Sequence, residues 1–204
     1  MSKILDINEH ALMVLSLFSN GYDREYYIRE ICSYIPVSHG TAQTILLNLE
    51  KKGVLASSQR GKNRFFRIKP GEISIQYFIL AEMYKKICFM EEKPYISEIM
   101  NKVTDHTRGI TLLFGSYAKG YAKADSDIDI FIAGSYDDRE VLKIEKMYDS
   151  EVNIKAYPVD VFGTGDQSDP LVNEVVKNHI VWKNAESFVR EVITQKTGYY
   201  GVPR

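Results

Sequence analysis

The segment that most restricts the fold runs from residue 110 to residue 133. An apolar run, Ile110 to Phe114, has the length and character of a strand and stops at Gly115-Ser116. Eleven residues after Ser116 comes Asp127, followed by Ile128 and Asp129, which open a second apolar run ending at Ala133. Gly115 permits a tight exit from the first strand and a close approach of another group to the backbone. Asp127 and Asp129, at positions i and i+2 of a strand, point both carboxylates to one face. The pattern predicts a strand, a turn with a short helix, and a second strand that begins with two acids.

These residue types suit phosphate and metal chemistry. Ser116 is expected to cap the short helix and to offer its hydroxyl and nearby amides to a phosphate. Two hard-oxygen ligands side by side suit Mg²⁺, which usually binds one or two carboxylates together with substrate phosphates. Lys119 stands where it neutralises phosphate charge or, equally, serves as a solvated surface lysine.

Gly115-Ser116, Gly120 and Ser126-Asp127-Ile128-Asp129 resemble the signature of the minimal nucleotidyltransferases of the DNA polymerase beta superfamily. The resemblance covers about residues 95–182. It implies Mg²⁺-dependent transfer of a nucleoside monophosphate from ATP or another nucleoside triphosphate to an acceptor hydroxyl, with pyrophosphate released. On that likeness Gly115 and Ser116, with Lys119 beside them, bind the nucleotide. Asp127 and Asp129 are then the catalytic residues and hold one or two metal ions. Members generally use a third carboxylate on a neighbouring strand, where it helps deprotonate or orient the attacking hydroxyl. Here the corresponding strand is Val152–Tyr157, and the position that aligns best is Asn153, which cannot accept a proton. Glu151 precedes that strand and Asp160 follows Pro158, so either would need an irregular path to reach the site. Tyr117 also replaces a frequent Arg. The rival expectation is a DNA-binding regulator whose transferase-like domain senses nucleotide without turning it over.

Upstream, helical patterns cover residues 8–19 behind an Asn8 cap, 23–34, and 38–52, the last capped by Ser38 and ended by Gly53. Two β-prone segments, 54–57 and 64–68, flank a turn at 59–63. Three helices followed by a basic hairpin describe a winged helix-turn-helix domain. Its third helix would present Ser38, His39, Thr41, Gln43 and Thr44 to the major groove of double-stranded DNA. Arg60, Lys62 and Arg64, with Lys51 and Lys52 nearby, would meet phosphates. The alternative use of such a domain is as a protein-binding module. Together with the downstream segment, the combination resembles archaeal and bacterial winged-helix proteins that carry a nucleotidyltransferase domain.

Charge distribution agrees with a division into parts. The net charge of -1 conceals +4 over residues 1–70 and -5 over residues 71–204, two segments of opposite sign suited to different partners. The expected organisation is α+β: an N-terminal winged helix-turn-helix domain (1–70), a connecting helix (71–94) and a C-terminal mixed-sheet nucleotidyltransferase-like domain (95–204). Helices are also expected at 72–89, 97–103, 139–148, 171–178 and 185–195, with Trp182 in a core. The helix at 72–89 suits a strut between domains or a homodimer surface. Cys32 and Cys88 are too few and too scattered for a disulfide framework. No apolar run approaches the ~20 residues that a bilayer requires, and MSKILDINEH lacks the apolar core of a signal peptide. The expectation is a cytoplasmic protein with no membrane partner.

Overall fold

The computed structural model describes residues 7–123, 126–163 and 168–198. Chain order begins α1 (Glu9–Phe18), β1 (Tyr26–Tyr27), α2 (Ile28–Tyr34), α3 (His39–Lys51), β2 (Leu55–Arg60) and β3 (Asn63–Ile68). Capping fixes two of these starts. The Asn8 side chain accepts from the Ala11 amide at 3.0 Å, and the Ser38 hydroxyl accepts from the Thr41 amide at 3.1 Å. The second helix departs from expectation: it starts at Ile28 rather than near residue 23, because Tyr26 and Tyr27 pair with β3. Tyr26 lies opposite Phe66 and Tyr27 opposite Phe65, with the Tyr27 and Phe65 rings 5.5 Å apart. Cross-strand aromatic packing there outweighs local helical tendency. The resulting antiparallel sheet has the order β1-β3-β2. Its hairpin is also longer than expected, since Arg60 pairs with Asn63 and leaves only Gly61 and Lys62 at the turn.

The remainder comprises α4 (Glu72–Glu92), α5 (Pro94–Asp105), β4 (Thr107–Leu113), α6 (Gly115–Ala118), β5 (Ile128–Tyr136), α7 (Asp138–Tyr148), β6 (Val152–Tyr157), α8 (Pro170–Lys177), β7 (Ile180–Lys183) and α9 (Ala185–Thr197). Four strands form one mixed sheet in the order β6-β5-β4-β7, with β5 and β6 parallel and the other pairs antiparallel. The fold is therefore α+β with a mixed sheet. Strand β7 is an addition to the expected set. Trp182 within it is buried, and its indole N–H donates to Asn101 at 2.9 Å.

Alternation along β5 divides the apolar interior. Ile128, Ile130 and Ile132 pack with Ile99, Met100, Val103, Val141 and Ile144 from α5 and α7. Phe131 and Ala133 face the other way, into a cluster with Phe162, Val175, Phe188 and Val192. That second cluster continues without a break into Phe18, Tyr22, Leu46 and Phe78 of the N-terminal part. Helix α4 joins the two parts, packing on α1, α9 and β7. On its opposite side Ile73, Leu80, Met83 and Ile87 remain exposed. Among the described residues no helix is long and apolar enough to cross a membrane.

The junction contains a buried charged group. Glu82 on α4 is wholly buried, and its Oε1 accepts from the Tyr22 hydroxyl at 2.6 Å. The Lys85 ammonium lies 2.9 Å from Oε2, and His179 Nε2 lies 3.1 Å from Oε1. His179 donates from Nδ1 to the Val175 carbonyl at 2.9 Å. Burial alone would push the Glu82 carboxyl up, but Lys85, His179 and Tyr22 hold it well below the usual carboxylate range. Burial and the Lys85 ammonium hold the His179 imidazole below its ordinary value, against the pull of Glu82.

Candidate active site

Strands β4 and β5 stay paired up to the turn that separates them from α6. Leu113 lies opposite Ile130, and the Phe114 amide donates to the Asp129 carbonyl at 2.9 Å. The chain then turns at Gly115, whose φ is +70°. A Cβ at Gly115 would lie 2.0 Å from Asp129 Oδ2 and 2.8 Å from its Cγ. The close approach expected of this glycine is therefore to the carboxylate itself. Both a left-handed backbone and the missing side chain are needed to seat Asp129 there.

The helix after the turn begins at Gly115, behind Phe114, without a side-chain cap. Ser116 is consequently inside the first turn and is not the capping residue, because the backbone has already reversed at Gly115. Asp127 is exposed just before β5, while Asp129 is half-buried. Burial and the neighbouring Asp127 carboxylate hold the Asp129 carboxyl above its usual range; Glu174 adds to this and Lys155 and Lys119 oppose it. Two crowded hard-oxygen donors whose mutual repulsion a cation would relieve fit Mg²⁺, with phosphates and water completing its shell. Among the described residues, no group of three His, Cys, Asp or Glu side chains forms a protein-only cage.

The register on the other side of β5 bears on the third carboxylate. Asn153 lies directly opposite Asp129 in the parallel β5–β6 pair. Asp160 lies beyond the far end of β6, where Tyr157 pairs with Ala133. At a strand rise of about 3.3 Å per residue, the end of β6 that leads to Asp160 is ~13 Å along the sheet from Asp129. Glu151 lies at the correct end. Its carbonyl accepts from the Ile128 amide at 2.9 Å, and Glu151 and Asp127 line one groove of about 960 Å³ with Lys93, Lys123 and Lys146.

Lys119 forms an ion pair with Glu174 of α8. Glu174 thus acts electrically on both Lys119 and Asp129, a role that the sequence did not disclose. Its only signal is its place on an amphipathic helix whose docking position local periodicity does not specify.

The N-terminal candidates do not all share one surface. His39, Gln43, Lys62 and Arg64 line a shared concavity of about 560 Å³ between α3 and the hairpin, joined there by Arg29 of α2. Thr44 is exposed on α3 outside that lining. Ser38 and Thr41 are occupied in the cap, their hydroxyls 2.8 Å apart. Arg60 and Arg64 lie at the hairpin but are ion-paired, Arg60 with Glu25 at 2.6 Å and Arg64 with Glu50 at 2.5 Å. Arg29 has no signal of its own in the sequence, since the periodicity of α2 marks only its apolar face.

Residues 96–187 match the family model described as polymerase beta, nucleotidyltransferase. Over these residues, a little under half of the chain, the sequence is similar to nucleotidyltransferase domains, and the matched span contains Gly115, Ser116, Asp127 and Asp129. No curated protein matches the sequence. Among solved structures, the chain is similar to AF1382 from Archaeoglobus fulgidus, at 20% identity over 43% of this chain and 93% of that one, with a TM-score of 0.34. It is also similar to a toxin-antitoxin chain crystallised with AMP-PNP, at 23% identity over 52% of this chain and 87% of that one, again with a TM-score of 0.34.

Proposed function

We propose that this protein moves a nucleoside monophosphate from ATP or another nucleoside triphosphate to an acceptor hydroxyl in a Mg²⁺-dependent reaction. The observation that carries this reading is the Asp129 carboxylate, seated against a backbone that only glycine leaves open, within a segment matching a nucleotidyltransferase family. Gly115 and Ser116 receive the triphosphate, and Asp127 and Asp129 would hold the metal. Bound Mg²⁺ supplies charge neutralisation at the phosphates. Lys119 exchanges Glu174 for a phosphate oxygen when nucleotide enters. Glu151 accepts the proton of the acceptor hydroxyl, whose oxygen attacks the α-phosphorus as pyrophosphate leaves.

A second reading is favoured by one observation, the neutral Asn153 opposite Asp129. In it the domain binds nucleotide as a signal and does not turn it over. Turnover separates the two. With ATP, Mg²⁺ and a panel of acceptors, the transfer reading expects pyrophosphate release that is abolished in Asp127→Ala. Tight Mg²⁺-dependent ATP binding with no release from any acceptor would support the sensor instead.

The N-terminal part is proposed to be a winged helix-turn-helix that binds double-stranded DNA. The basic concavity between α3 and the hairpin supports this, with Arg29 and Lys62 as phosphate contacts and His39 and Gln43 facing base edges. Replacing Arg29 and Lys62 with alanine should weaken duplex binding similarly for all sequences and lower the salt slope by about 2. Duplex binding that is unaltered in this double variant, measured across a salt series, would remove that face from the account.

A further inference from the structure

A cleft of about 590 Å³ separates the N-terminal helices from the turn region of the candidate active site. One wall is Lys119 and Gly120, which follow α6 directly, together with Tyr117. The opposite walls come from α1, from Tyr34 at the end of α2, and from Tyr84, Lys85 and Phe89 of α4. The cleft is thus built jointly by both parts of the chain. Its size falls within the roughly 300–1,000 Å³ typical of small-molecule sites.

We propose that this cleft receives the base and ribose of the nucleotide whose phosphates lie at Gly115 and Lys119. The inference rests on the nucleotide-binding reading given above and assigns to it a substrate surface that extends beyond the family-matched segment into α1, α2 and α4. Continuity is the first argument: the residues that would meet the phosphates lead straight into the cleft wall. Chemistry is the second. Tyr34 and Tyr84 supply accessible aromatic surface on which a base can stack, and every base has a π-face, while Phe89 and Tyr117 are buried behind the lining. Tyr34 is 59% exposed, so its ring is available to a ligand.

The groove on the other side of α6 offers a contrast. It holds Asp127 and Glu151 and is lined by seven charged side chains, which suits the acceptor hydroxyl and its deprotonation better than a flat base. Tyr117 lines both cavities, so α6 divides them. With the base in the first cleft, nucleotide occupancy is felt directly by α1 and α2 of the N-terminal part.

The test compares two probes on the full chain by calorimetry, Mg·ATP and Mg·tripolyphosphate, the second having phosphates but no base. Tyr84→Ala and Tyr34→Ala should each weaken Mg·ATP about tenfold, in keeping with the loss of one stacking partner. Mg·tripolyphosphate affinity should be unchanged. Tyr84→Phe, which keeps the ring, should retain ATP affinity and controls for folding. Equal weakening of both probes, or of neither, overturns the proposal, and wild-type binding of both probes would still support the nucleotide reading. If the wild type binds neither probe, the underlying nucleotide reading fails and this inference falls with it.

Discussion

Replacing Glu82 with alanine is expected to lower the unfolding free energy by about 3–5 kcal/mol, the usual cost of removing one member of a buried charged pair. The carboxylate is wholly buried and is the shared partner of Tyr22, Lys85 and His179. Its loss leaves the Lys85 ammonium, itself only 12% exposed, without its counter-charge at the centre of the junction. For a chain of this length the expected fall in Tm is about 10 °C. Glu82→Gln keeps the shape and an acceptor for Tyr22 and should cost less. The same cluster dictates a pH dependence. Glu82 and His179 both have folded values below their ordinary ones, so the unfolded chain binds protons more readily at each. Their contribution is present above the unfolded values and lost on acidification, beginning near pH ~6.5 for the histidine and continuing through ~4.5 for the carboxylate. Thermal unfolding at pH 7.5, 5.5 and 4 checks both statements. A Glu82→Ala midpoint within 2 °C of wild type, a margin well inside the roughly 2–4 °C per kcal/mol expected at this size, would contradict them.

The second large effect is expected at Gly115. Alanine there meets two obstacles. Its φ of +70° is a left-handed conformation costing an alanine roughly 1–2 kcal/mol, and its Cβ would lie 2.0 Å from Asp129 Oδ2. Asp129 is the group that must yield, since the backbone before Gly115 is held to β5 through the Phe114–Asp129 hydrogen bond and the backbone after it enters α6. A displacement of about 1 Å at a reacting centre commonly costs about 100-fold in rate, and transfer by Gly115→Ala should fall by at least that much. Gly120→Ala is the useful comparison. Gly120 also has a positive φ, +79°, but its Cβ would meet nothing within 4 Å. It shares the backbone penalty without the collision, and activity should survive it far better.

Where the sequence was readable, the reason was local. Asn8 and Ser38 announced helix starts through short-range caps, and residues 152–157 were bounded correctly because their alternation needs no partner to be seen. The likeness singled out Asn153 within that strand, and the β5–β6 register brings Asn153 opposite Asp129. What escaped notice depends on distant partners. Strand β7 has four residues, too few for a period, and exists because β4 offers it an edge. Tyr26 and Tyr27 read as helix until β3 is present to pair with them. Glu82 looks like a polar residue on an aromatic helix, and nothing within one turn reveals that Tyr22 and His179 converge on it. Glu174 likewise meets Lys119 across 55 residues of chain.

The central claim is that the Gly115 turn and the two aspartates together form a site for a metal-bound triphosphate. Its most direct measurement is calorimetric titration of ATP into the wild type, Asp129→Asn and Gly115→Ala, each with and without Mg²⁺. The prediction is that Mg²⁺ tightens ATP binding to the wild type by at least about tenfold, equivalent to ~1.4 kcal/mol, and that both substitutions erase the difference. Wild-type affinity indifferent to Mg²⁺, or an Asp129→Asn variant that keeps the full metal dependence, would contradict it.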